Sequence, residues 1–132
     1  MRLIVLALAL LFTQDAFAKK CSATFRSVSG SVTDRQGAPL PNTAVGVSWA
    51  IGRKPGGPAI GHTDADGRFS IPVRIRTMCR DPAPKYSVRA YTATQHSQEE
   101  RLDDRPGRLV VPTLRVTEEI HFEPVSPDEA TN

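Results

Sequence analysis

From Thr24 onward, apolar side chains recur at every second position in short runs. Each run stops within about ten residues at glycine, proline, asparagine or aspartate, the spacing of an all-β chain. Alternate residues of an extended strand fall on opposite faces, so period two reads as half-buried strands rather than helices. Eleven prolines, spread from Pro39 to Pro127, reinforce this, because each removes a backbone donor and clashes with a helical turn. A composition of 39% hydrophobic and 23% charged residues supports one ordinary globular core and excludes coiled coil, collagen-like repeat and wholesale disorder.

The alternation assigns the strands one by one. Val28, Gly30 and Val32 alternate with Ser29, Ser31 and Thr33, giving a first strand from Thr24 to Thr33. Phe25 is out of phase with Val28, which predicts a bulge or bend near Ser27. Asp34 to Gly37 is a turn, and Ala38 to Asn42 is an extended, proline-held connection. Val45, Val47, Trp49 and Ile51 mark a second strand with Trp49 turned inward, and Gly52 to Pro58 reads as a loop. Ala59 to Thr63 is a short strand, and Asp64 to Gly67 is a tight turn. Phe69, Ile71, Val73 and Ile75 alternate again, and Thr77 to Lys85 is a loop. Tyr86, Val88 and Ala90 carry a strand to about Thr94, and Ser97 to Gly107 is a charged, exposed loop. Leu109 to Val116 and Glu119 to Phe122 close the domain, and 124–132 is a flexible tail. The expectation is an all-β, seven-stranded sandwich with Greek-key links, antiparallel because parallel neighbours need long crossovers, usually helical.

Residues 1–18 have the three parts of a secretory signal. Arg2 supplies the positive start, Leu3 to Phe12 the apolar stretch, and Ala16-Phe17-Ala18 the small-x-small cleavage site. The apolar stretch is too short for a membrane span, and the chain is expected not to be membrane-spanning. The mature domain then runs over 19–123, exported to the periplasm or beyond. In an oxidising compartment the two cysteines, Cys21 and Cys79, are expected to form a disulfide. It would close a loop of roughly 60 residues, worth about 4 kcal/mol by chain entropy.

Little in the sequence points to chemistry. A formal charge of +3, with acids and bases mixed and no interleaved aromatics, gives no nucleic-acid surface. Asp64-x-Asp66-Gly67 starts like a calcium loop, but Ile75 stands where the closing glutamate belongs. His62, His96 and His121 share no metal-ligand spacing, and no nucleophile elbow is present. No catalytic set, metal or cofactor is expected.

Several of these segments, taken in order, resemble the carboxypeptidase regulatory-like domain. They are Val28-x-Gly30-x-Val32-x-Asp34-x-x-Gly37-x-Pro39-Leu40-Pro41, Val45-x-Val47, Thr63-Asp64-x-x-Gly67-x-Phe69-x-Ile71 and Tyr86-x-Val88-x-Ala90. The resemblance covers residues 25–95 and implies a transthyretin-like β-sandwich serving as a non-catalytic accessory module. In that reading Gly30, Asp34, Gly37, Pro39, Asp64, Gly67 and Phe69 are folding residues of the motif. The expected function is binding of a protein partner in the cell envelope, through edge strands or loops. The alternative is carbohydrate binding, for which Tyr91, on the face opposite Tyr86, is the free aromatic platform.

Overall fold

The computed structural model describes residues 23–121. All regular structure among them is β: β1 (Thr24–Thr33), β2 (Ala44–Ile51), β3 (Lys54–His62), β4 (Arg68–Ile75), β5 (Lys85–Tyr91), β6 (Gln95–Ser97), β7 (Glu100–Asp103), β8 (Gly107–Val110) and β9 (Leu114–Glu119). The signal segment, Cys21 and the 124–132 tail lie outside the described residues.

Hydrogen bonding runs in the order β3-β2-β5-β6-β9-β1-β4, with β7 added to β5 and β8 to β1. The sheet curls until it nearly closes into a barrel. Its two ends meet side on, so that a Cβ on Gly61 of β3 would come within 2.7 Å of Ile71 Cγ1 on β4. The enclosed core is built from the predicted phase of each strand: Val28 and Val32, Val45 and Val47, Phe69 to Ile75 at alternate positions, and Tyr86, Val88 and Ala90. Each of these large side chains contributes roughly 1.5–3 kcal/mol by leaving water.

Five expectations are corrected. Nine strands stand in the described residues where seven were expected. The pairing is not wholly antiparallel, since β1 runs parallel to β8 over Arg26–Ser29 and to β9 at Val32 and Thr33. The whole stretch from β2 to β7 serves as the crossover, so no helix is needed. The Gly52–Pro58 segment is a two-residue turn followed by the first half of β3. Its prolines are tolerated because β3 has a neighbour on one side only. The charged Ser97–Gly107 stretch contains β7, which pairs Glu100–Asp103 with β5. Only Leu102 of that strand reaches the core, which leaves no alternation to read.

The fifth correction concerns β1. Its register with β4 is unbroken from Thr24 to Ser31, so there is no bulge at Ser27. Phe25 points outward, 60% exposed, beneath the Arg74 guanidinium at 5.0 Å. The strand instead spends an inward position on Arg26. Trp49 keeps the expected inward phase, in register with Tyr86 and packed against the core, but is only half-buried where β2 and β3 slip register between Val47 and Trp49, and its indole lies against Gly56 and Gly57.

Candidate binding groove

The motif residues gather at two turns of the same construction. Asp34 Oδ1 accepts the Gln36 and Ala38 amides at 2.9 Å, and Asp64 Oδ1 accepts those of Asp66 and Arg68 at 2.9 Å. Gly37 (φ 87°) and Gly67 (φ 74°) supply the left-handed residue that each turn requires. The turns are tied at Val32, whose N–H donates to Gly67 O at 2.8 Å and whose carbonyl accepts the Leu40 N–H at 3.0 Å. Pro39 bridges to Thr33 beside them. A Cβ on Gly30 would meet Phe69 Cζ at 2.9 Å, so the glycine makes room for the buried ring. All seven residues therefore serve turns and packing.

A part-buried polar cluster ties the two faces elsewhere. Arg26 Nε and Nη2 donate to the two oxygens of Asp104, at 2.7 and 2.9 Å, and the Tyr86 hydroxyl donates to Asp104 Oδ1 at 3.0 Å. Hydrogen bonds from Arg26 hold the Asp104 carboxyl below the usual carboxylate range. Burial, followed by the bond to Asp104, pushes the Tyr86 phenol up. The bond to Asp104 also raises the Arg26 guanidinium. This is a clasp holding β1, β5 and the β7–β8 connection.

A hollow with a mainly apolar lining lies on the outer face of β3-β2-β5, and its shape follows from register. Paired residues share a face, so the outward rungs are His62–Ala44–Tyr91 and Ile60–Gly46–Arg89, with Ser48 opposite Ser87 below them. Small residues in the middle strand and longer ones on either side make a groove of about 310 Å³. Ile60 (64% exposed) and Pro58 form one wall, Arg89 and Tyr91 (41% exposed) the other, and Glu99 stands at the rim. A second hollow shares Ser48, Ser87 and Glu99 and extends the trough toward Trp49 and Lys85.

Tyr91 thus lies where the sequence placed it, on the face opposite Tyr86, with His96 beside it at 6.5 Å between ring centroids. Gly46, Ile60 and Arg89 were missed. Their signal was the outward set Ala44, Gly46, Ser48, Ala50, in which every residue is small although the face is not packed. His62 and His96 stay three strands apart, roughly 14 Å. Among the described residues no group of three His, Cys, Asp or Glu side chains is placed to hold a metal. Cys79 is exposed in the β4–β5 loop, while its expected partner Cys21 lies outside the described residues.

The chain matches no family model and no curated protein. Among solved structures it is similar to 3-chlorocatechol 1,2-dioxygenase from Rhodococcus opacus 1CP, with a TM-score of 0.50 and 12% identity over 73% of this chain and 61% of that one. It is also similar to chlorocatechol 1,2-dioxygenase from Pseudomonas putida (TM-score 0.48, 8% identity, 70% and 61% covered). An alternative pilotin from the type II secretion system of Vibrio cholerae gives a TM-score of 0.42 and 16% identity over 72% of this chain and 99% of that one. This chain spans about three-fifths of the two dioxygenases. At such identities the first likeness concerns the fold alone.

Proposed function

We propose that this chain is an exported, non-enzymatic β-sandwich of the transthyretin-like, carboxypeptidase regulatory-like type that binds a protein in the bacterial cell envelope. The observation that carries the reading is the outward groove on β3-β2-β5, floored by Ala44, Gly46 and Ser48 and walled by Ile60 and Tyr91. An antiparallel sheet whose outer face is merely solvated would carry long polar side chains there. The strands at the ends of the sheet suit docking less well. Pro55 and Pro58 interrupt β3 and Pro72 interrupts β4, and proline blunts strand addition at an edge. The groove therefore takes the docking role.

In-cell cross-linking of the tagged mature chain, Lys19 to Asn132, tests this. One dominant protein partner is expected, and its yield should drop when Gly46→Leu fills the groove. Recovery of the monomer alone at native expression levels contradicts the protein-binding reading. Carbohydrate binding is the second reading, favoured by the exposed Tyr91 ring at the end of the groove. A glycan array on which Tyr91→Ala abolishes binding would move the assignment there.

A further inference from the structure

We infer that the groove receives an extended acidic segment of the partner and that Arg89 pairs with a carboxylate on it. The inference rests on the binding-module reading and names the chemistry of the same site. Two independent observations converge on the central rung. The first is Gly46. A glycine inside a strand weakens it, and often marks a bulge, a bend or a place that something approaches closely; the register slip of β2 lies beyond it, between Val47 and Trp49. At Gly30, Gly56 and Gly61 the fold itself supplies that neighbour, because a Cβ would fall within 3.0 Å of Phe69, Trp49 or Ile71. At Gly46 it would meet only ordinary contacts, Tyr91 Cε2 at 3.7 Å and Pro58 Cβ at 3.9 Å. Packing does not ask for glycine there, and the open floor is left for a ligand.

The second observation is Arg89, on the same rung. Its Nε is buried, and among the described residues no acceptor reaches it. A buried N–H without an acceptor is costly, and that of a guanidinium most of all. Arg101, farther along the trough, already pairs with Glu99 at 3.8 Å. Arg89 stands across Gly46 from the apolar Ile60. The Glu99 carboxylate at the rim makes its ion pair with Arg101 and none with Arg89 among the described residues, so an incoming anion can take that place. The outward positions Ala44 to Ala50 extend roughly 20 Å, the length of about six residues of extended peptide. Tyr91 stands at one end of the trough and the half-buried Trp49 at the other, with small residues between them, which suits an extended peptide with an acidic anchor better than a glycan that needs stacking along its length.

The test uses the mature, ¹⁵N-labelled chain titrated with hexaglutamate, hexaglutamine and an oligogalacturonate, at physiological ionic strength. Hexaglutamate is expected to shift the Gly46 amide and the Arg89 Nε–H. Arg89→Gln, an outward change that leaves the native spectrum otherwise intact, should weaken binding roughly ten- to a hundredfold. Arg89→Lys should fall between the two, since it keeps the charge and loses the Nε donor. Equal shifts with hexaglutamine, no shifts at these positions, or unchanged affinity in Arg89→Gln would overturn the inference. Shifts with the oligogalacturonate alone would overturn it in favour of an acidic glycan. In the cross-linking experiment, a partner captured equally by Arg89→Gln rejects the carboxylate anchor and keeps the module reading, whereas no partner for the unaltered chain rejects the module reading itself.

Discussion

Replacing Asp104 by alanine should destabilise the domain by about 3 kcal/mol, and the clasp it belongs to shows why. Its side chain and that of Arg26 are only 14% and 16% exposed, and they meet through two parallel bonds of 2.7 and 2.9 Å. Removing one partner of such a pair strands the other charge. The cost is about 3–5 kcal/mol for a fully buried pair and about 2 kcal/mol for this partly solvated one. The Tyr86 hydroxyl, donating at 3.0 Å from a buried ring, also loses its acceptor, which adds about 1 kcal/mol. In a domain of this size the sum lowers Tm by roughly 12–24 °C. Urea unfolding followed through Trp49, the only tryptophan, measures it. Asp104→Asn keeps an acceptor for Tyr86 and should lose about 2 kcal/mol. Adding Tyr86→Phe to Asp104→Ala should restore about 1 kcal/mol, because the orphaned hydroxyl is gone. A loss below about 1 kcal/mol in Asp104→Ala, or strict additivity in the double variant, would refute the clasp.

Four further outcomes follow from the same coordinates. Because Arg26 holds Asp104 below the usual carboxylate range, the unfolded chain takes up its proton first as pH falls. The stability gap between the unaltered chain and Asp104→Asn should therefore be constant above about pH 5, and shrink as pH drops below about 4 through the folded-state value. Urea midpoints across that range check it. Gly30→Ala drives a methyl group into Phe69 Cζ and should cost about 1–3 kcal/mol in thermal melts, with partial rescue by Phe69→Leu. Gly46→Ala meets only ordinary contacts, and should leave Tm unchanged or slightly raised while narrowing the groove. Intact mass with and without reductant should show cleavage after Ala18 and a Cys21–Cys79 bond, and an unchanged mass on reduction rejects the bond.

Legibility followed the source of each strand's pattern. β4 was plain because every second side chain, Phe69 to Ile75, is apolar and buried. The Asp-x-x-Gly turns were plain because a short side chain caps its own backbone and glycine takes positive φ, both local events. β3 was half hidden, since Lys-Pro-Gly-Gly-Pro has loop composition and becomes a strand only because β2 offers it a free edge. β7 was hidden because a charged segment with one core contact, Leu102, carries no period. Phe25 misled because an exposed aromatic under Arg74 looks like a core residue until Arg26 is seen to hold the inward position.

The alternation of apolar residues and the turn chemistry, both short-range properties of the chain, were enough to determine an all-β fold, the inward faces of most strands and the seven turn and packing residues. Which strands lie side by side depended on distant pairings that no local pattern encodes. Only the tertiary structure could bring Gly46, Ile60 and Arg89 onto one rung, run β1 parallel to β8, and place Asp104 between Arg26 and Tyr86. A groove and a part-buried ion pair are relations between segments far apart in sequence, fixed by register, so they came into being when the sheet closed.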